Sequence, residues 1–329
     1  MTIRRFAGLG ILLLSFTTAD ALDVERDDVA AFIDKLVSEH AFDRAALSAT
    51  LAQAETKQSI LDAIARPAER VLTWGEYRRI FLTDKRIDAG VEFWQEHCAE
   101  LERISEESGV PIEIIVGIIG VETYFGRITG GHRVLDALST LAFDYPPRAR
   151  FFRRELEQFL LLVREEDLEA TEPSGSYAGA MGRPQFMPSS YRAYAVDATG
   201  DGKRDIWNDW SDVAGSIANY MTRHGWRADE PVVAQAGLGQ GFEGPVPENT
   251  LKPRATVASL SERGILFSTE LPADSVADLI TLEGEDGTEH WVGFHNFFVI
   301  TRYNRSVMYA LAVHQLGQEI ALGVLNAGT

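Results

Sequence analysis

Residues 111–127 read PIEIIVGIIGVETYFGR, a run that is apolar almost throughout and long enough for about three turns of buried helix. Pro111 suits a first helical turn, where its missing N–H has no partner to lose, and Ser108-Gly109 breaks the segment before it. Within the run Ile115, Ile118, Glu122 and Phe125 recur at helical spacing, so Glu122 points to the same side as the isoleucines. A buried carboxylate without a partner is costly and usually responds by keeping its proton. Three readings are open: a salt bridge to Arg127 or another arginine, a capping contact near the helix end where Gly126 follows, or a retained proton donor. A helix C-terminus disfavours negative charge, which would itself raise the pKa of Glu122, and a raised pKa is what a general acid needs.

Outward from this segment the chain is mainly helical. Residues 27–65 carry Ala and Leu at helical spacing with Pro67 as a stop, and 84–107 reads as one long amphipathic helix. Further helices are predicted at 132–142, 148–165, 211–225 and 304–322. From about 231 to 302 the texture changes: VADLITLEG and FFVITRY cluster β-formers, and Gly284-Glu285-Asp286-Gly287 offers a turn between strands. The expected class is α+β, mainly helical, with an N-terminal helical region (22–83), a core (84–230), a small β subdomain (231–302) and a last helix (303–329) that packs back on the body.

Two loops carry polar chemistry. GSYAGAMGRPQFMPSSY (175–191) is dense in glycine, which lets backbone approach a ligand, while Tyr177, Gln185 and Phe186 offer ring faces and an amide suited to a sugar; a tight surface turn is the competing reading. DATGDGKRDIWND (197–209) follows the calcium-loop template, with Asp197, Thr199, Asp201, Lys203 (through its carbonyl) and Asp205 as ligands and Gly202 at the sharp turn. Asn208 replaces the bidentate glutamate at the last position, which weakens the site, and a structural role for the ion is expected. His290, His295 and His314 lack metal-ligand spacing, and there is neither a phosphate loop nor a G-x-S-x-G elbow.

The 329 residues, 45% apolar and 24% charged, are those of a globular protein. A formal charge of −18 argues against nucleic acid or an anionic membrane surface as partner. Arg4 and Arg5, the apolar run FAGLGILLLSF and Ala19-Asp20-Ala21 predict a signal peptide over residues 1–21; the run is much shorter than the roughly 20 residues of a membrane span. No Cys follows it to be acylated. The single Cys98 excludes an intramolecular disulfide and falls on a helical stripe with Val91, Trp94, Leu101 and Ile104, so core packing is expected.

IIVGIIGVETYFGR, LDALSTLAFDYPPRA, GSYAGAMGRPQFMPSSY, DATGDG and NFFVITRYNRS occur in the order found in the membrane-bound lytic murein transglycosylase B family of bacteria, and the resemblance covers nearly all of residues 70–322. It implies a lysozyme-like core flanked by a helical and a β-containing domain, an EF-hand-like calcium loop, and cleavage of the β-1,4 MurNAc–GlcNAc bond of peptidoglycan with 1,6-anhydro ends. It implies Glu122 as the sole acid/base. Tyr77, Ser176, Gln185, Phe186, Tyr220, Asn296, Tyr303 and Asn304 would meet the sugars, and Arg148 the peptide or lactyl carboxylate. Core packing for Phe186 and a strand-end cap for Asn296 are the competing readings, and Pro147 stands where some relatives carry a second arginine. The expected setting is a soluble, monomeric periplasmic enzyme acting on glycan strands, with wall synthases as possible partners. Its nearest rival is a hydrolytic muramidase using Asp144 as second carboxylate; a non-catalytic wall-binding scaffold is the other.

Overall fold

The computed structural model describes residues 20–65, 72–242 and 245–327. The predicted signal peptide falls, but for Asp20 and Ala21, outside the described residues, as does the Pro67 stop. Asp20–Ala21 pairs antiparallel with Glu55–Thr56.

The run at 111–127 forms the helix Ile112–Thr123, and every residue from Ile114 to Val121 is buried. It is therefore sheltered all round rather than along one stripe. Against it lies the closing helix Val307–Ala327, and the two approach closely because each presents glycine at the crossing. A Cβ on Gly117 would lie 2.4 Å from the Val313 carbonyl oxygen, and one on Gly317 would lie 2.0 Å from that of Glu113. Van der Waals contact between backbones replaces side-chain interdigitation here. The consequence is positional: the first turns of the closing helix are brought against the C-terminal end of the central one.

The region predicted as one helix at 84–107 is two, Asp84–Glu96 and Cys98–Ser108, with a break at His97. The break moves Cys98 off the expected core stripe. It is half-buried, and its thiol donates to Glu102 (3.3 Å). A helix the sequence reading passed over, Trp74–Phe81, is closed at its start by a reciprocal capping box between Thr73 and Glu76.

Residues 231–302 hold a five-stranded antiparallel sheet, in the order Ala255–Thr256, Val276–Glu283, Thr288–Phe294, Val233–Leu238, Ile265–Leu266. Gly284 to Gly287 close the central hairpin, Gly284 N–H donating to the Gly287 carbonyl (2.9 Å) and Gly287 at φ 123°. Ala277, Leu279 and Val292 face a small core with Leu260, Ile265 and Phe294, while Ile280 and Leu282 face the main one. FFVITRY, expected as a strand, is helical: His295–Tyr303 buries Asn296 to Thr301 between the sheet and the body. β-propensity gave way to burial on all sides. The hairpin tip also supports the helix Trp74–Phe81: Trp74 and Trp291 both donate to Glu289 Oε2 (3.2 Å each), and Gly75 packs under Glu285.

Candidate active site

Glu122 is the next-to-last residue of the central helix, and beyond it the chain turns sharply, with Tyr124 and Phe125 at φ 51° and 56°. Its side chain is partly buried and, among the described residues, meets no arginine. Arg127, the expected partner, swings away to lie over the Tyr124 ring (4.9 Å) and reaches Glu92 only at 4.0 Å. Among the described residues the salt-bridge reading finds no arginine partner for Glu122. The partner is Tyr309, on the closing helix, whose hydroxyl donates to Glu122 Oε1 at 2.6 Å. Desolvation raises the pKa of Glu122 from 4.5 to about 7, and the Tyr309 bond offsets part of the rise.

Tyrosines surround the Glu122 carboxyl. The charge of Glu122 adds to burial in pushing the Tyr77 hydroxyl up to about 12 and those of Tyr303 and Tyr309 well above their ordinary range. Tyr303 donates to the Pro184 carbonyl (2.6 Å) and stacks parallel to Tyr309 (6.4 Å between centroids, 8° apart). Phe125, expected on the Glu122 side, packs instead against Phe93 (5.5 Å).

The glycine-rich loop folds on itself. Ser176 Oγ accepts from the Ala178 and Ala180 N–H groups (3.3 and 3.1 Å), and Met181 bridges both Gly175 and Phe186. Its glycines are required by the chain's own packing: a Cβ on Gly175 would lie 2.0 Å from the Ala180 carbonyl oxygen. Gln185, at φ 53°, donates its amide to Thr129 O (3.1 Å) and Gly182 O (2.8 Å), which leaves the side-chain carbonyl to accept from a ligand.

Of the remaining expected sugar contacts, three are committed elsewhere. Phe186 is 2% exposed and sits between Tyr220 and Tyr303 (5.8 and 5.7 Å), which favours the core reading. Tyr220 spends its hydroxyl on the Arg302 carbonyl (2.6 Å) and stacks on His224 (4.1 Å). Asn296 is wholly buried; it accepts from Arg227 N–H (3.0 Å) and donates to the carbonyls of Arg227 (2.8 Å) and Glu230 (2.9 Å). It is a tether, not a sugar ligand. Asn304 ends the helix His295–Tyr303 and is exposed. Arg148 is exposed, its guanidinium over Phe151 (4.5 Å) and Phe152 (5.1 Å).

Asp144, the second carboxylate a hydrolase would want, is held by Arg26 Nη1 (2.8 Å). Among the described residues no other carboxylate acts on Glu122. Tyr309 is the functional residue that sequence reasoning missed; its only signal was the glycine spacing that brings two distant helices together.

The loop at 197–209 folds as a turn around its first aspartate. Asp197 accepts from Thr199 Oγ1 and from the N–H groups of Gly200, Asp201 and Gly202 (2.6 to 3.2 Å), and these bonds, Gly202 foremost, lower its pKa. Asp205 accepts from Trp207 and Asn208, so Asn208 acts as a donor where the template wants an oxygen. Asp212, just beyond, is 1% exposed and pins the loop by accepting from Ala198 N–H (2.8 Å) and Asp205 N–H (2.7 Å). Hard acidic oxygens fit calcium chemically, but among the described residues no three acidic side chains of the loop bring oxygens within 4.8 Å of one another. The cluster that does converge, Glu39, His40 and Glu157, is an ion-pair staple: Lys35 and His40 each hold one oxygen of Glu157.

A mainly helical body in which one carboxyl, raised in pKa by burial, stands among tyrosines is the arrangement of a lysozyme-like, glycan-cleaving fold. The chain matches the transglycosylase SLT domain family over residues 25–318 and belongs to that family, the lytic transglycosylases. It is 44% identical over 301 residues to the membrane-bound lytic murein transglycosylase B of Escherichia coli (strain K12), covering 88% of this chain and 82% of that one. Solved structures agree. The soluble lytic transglycosylase SltB1 of Pseudomonas aeruginosa, in its catenated form, superposes with a TM-score of 0.87 at 51% identity, over 91% of this chain and 98% of that one. The Escherichia coli lytic transglycosylase Slt35 in complex with calcium gives 0.84 at 41%, over 96% and 100%. SltB3 of Pseudomonas aeruginosa in complex with NAG-anhNAM-pentapeptide gives 0.80 at 29%, over 89% and 78%.

Proposed function

We propose that this lytic transglycosylase cleaves the β-1,4 bond between N-acetylmuramic acid and N-acetylglucosamine in peptidoglycan, with Glu122 as the only acid/base. The observation that carries the reading is a sheltered carboxyl bonded by the Tyr309 hydroxyl, with no cation on it among the described residues and its pKa pushed up by burial. Protonated Glu122 donates to the glycosidic oxygen as its bond to the muramyl C1 breaks. The positive charge that develops at C1 lies against a carboxylate and tyrosine rings, and the substrate's own N-acetyl oxygen can share it. Glu122, now ionised and still held by Tyr309, takes the proton of the C6 hydroxyl as O6 bonds to C1. The 1,6-anhydro end forms, no water is consumed, and the acid is regenerated. The anhNAM group in the complex of the SltB3 relative supports this outcome.

Tyr77, Ser176, Gln185, Tyr303 and Asn304 are the proposed sugar contacts, with Phe186, Tyr220 and Asn296 as their support. Asp197, Thr199, Asp201, Lys203 and Asp205 are the proposed calcium ligands; the ion would cross-link the loop and add rigidity, as the calcium complex of Slt35 suggests. No helix among the described residues is long and apolar enough to cross a membrane, and a periplasmic setting is the location proposed for an enzyme acting on this substrate.

Mass spectrometry of sacculi digested with the full chain tests the reading. Anhydro-muropeptides from wild type and none from Glu122→Gln are expected. Reducing ends alone would establish the hydrolase, and equal release by both proteins would establish the scaffold.

A further inference from the structure

The strand Val233–Leu238 is paired on one edge and partly open on the other. Successive residues of a strand turn their N–H and C=O groups to opposite edges. The Val232 carbonyl accepts from Phe294 N–H (3.0 Å), so the even-numbered residues face the strand Thr288–Phe294 and the odd-numbered ones face away. On the far edge Gly237 pairs with Leu266, and Gly239 N–H donates to the Gly264 carbonyl (2.8 Å). The ladder stops there. Its register, continued, would set Ser268 against Gln235 and Glu270 against Val233, but the chain leaves the sheet after Leu266. Among the described residues nothing bonds the backbone N–H and C=O groups of Val233 and Gln235 on that edge.

The space beside this edge is a groove of about 1160 Å³. It is lined by Val233 and Ala234, by residues 268–271, and by turns of the two helices that adjoin Gly109. Ile112, Leu271 and Phe294 give it apolar surface. Its charge has a single sign: Glu106, Glu113, Asp229, Glu230 and Glu270 line it, and among the described residues no Lys or Arg does. Of these acids Glu230 has a cation, Arg227 at 3.4 Å, while the other four have none among the described residues.

Three kinds of occupant can be compared. A metal ion needs converging oxygens, and among the described residues no three of these acids bring theirs within 4.8 Å of one another. A second copy of the chain carries a formal charge of −18 and meets acid with acid. An extended peptide bearing Lys or Arg answers both features at once. Its backbone completes the ladder that stops at Gly237, and its side chains reach the carboxylates.

We propose that this groove docks an extended, Lys- or Arg-bearing segment of a partner protein, which adds a strand at Val233 and Gln235 and sets its cations against the acidic lining. The site is remote from the chemistry. Glu113 and Glu122 stand nine positions apart on the helix Ile112–Thr123, about 14 Å along its axis. A partner held at the start of that helix leaves Glu122, at its end, free to act, so docking positions the enzyme without blocking it. The proposal does not depend on which reaction Glu122 performs.

The test titrates the full chain into a short, end-capped fluorescent peptide of alternating Lys and Val, read by anisotropy. Controls are a Glu/Val peptide of the same pattern and a Lys/Val peptide N-methylated throughout, which keeps the charge but loses the strand bonds. Saturable binding of the Lys/Val peptide is expected, about tenfold weaker after N-methylation and absent for Glu/Val. Glu106→Gln combined with Glu270→Gln, both exposed, should weaken binding about fivefold, as should added salt, with kcat on glycan strands unchanged. Amide exchange followed by NMR should slow at Val233 and Gln235 when the peptide binds. Equal affinity for the methylated peptide, unchanged affinity in the double variant, or no saturation below about 1 mM would each overturn the proposal. So would a dimer of this chain that the peptide displaces, since the occupant would then be a second copy.

Discussion

Asp136 and Glu122 both stand on buried helices, and the protein treats them in opposite ways. Asp136, wholly buried, is met by Lys57 Nζ (2.9 Å), by Arg133 Nε (2.8 Å) and by the Glu55 N–H (3.0 Å). That region resolves its buried charge with cations and ties residues 55–57 to the body. Glu122 receives one neutral hydroxyl, although Arg127 follows its helix end by four residues and Arg86 bonds the Gly120 carbonyl of the same helix. The nearby arginines are turned onto aromatic rings instead. A carboxylate surrounded by cations is a fastener; one kept away from them holds a transferable proton near neutral pH.

Breaking the second region has the largest expected effect. Glu122→Gln should lower anhydro-muropeptide release by at least about a thousandfold, read by mass spectrometry, because the proposed proton donor is removed. The same variant should be more stable than wild type at high pH. Folded Glu122 titrates near 7 and the unfolded residue near 4.5, so the native state holds a proton that the unfolded state releases in between, and its stability falls as pH rises through that window. Chemical denaturation should show a gain of about 3 kcal/mol at pH 8 that vanishes near pH 4.

Breaking the first region should do the reverse. Asp136→Asn strands two cations and should cost about 3 kcal/mol in denaturant titration, with kcat of the folded fraction retained. Gly117→Ala drives a methyl into the Val313 carbonyl and should cost about 2 kcal/mol while separating Tyr309 from Glu122. Smaller still is Tyr309→Phe. Its bond lowers the pKa of Glu122, so its loss should move the alkaline limb of kcat to higher pH and reduce the rate, since the ionised intermediate state loses its donor. Chelation by EGTA should lower Tm by a few degrees with kcat unchanged, the least effect of all, given the donor role of Asn208.

Sequence could reveal Glu122 because its anomaly is local: one acid near the end of an apolar run whose period is that of a helix. It could not reveal Tyr309, since the contact spans 187 positions and depends on Gly117 and Gly317 letting two backbones touch. Asn296 was misread for a related reason. Its residue type fits a sugar ligand, and only the approach of residues 227–230 consumes its amide. The glycines at 175–182 signalled close approach correctly, but the approaching group is the chain itself. FFVITRY misled through composition, because β-branched and aromatic residues also suit a helix buried on every side.

The central claim is that Glu122 holds its proton at neutral pH because burial disfavours its charged form and no cation among the described residues offsets that. Carbon-13 NMR of glutamate side-chain carboxyls, with the Glu122 signal assigned by its loss in Glu122→Gln, measures this directly. A midpoint near 7 is the predicted result; titration near 4.5, as for an exposed glutamate, would contradict it.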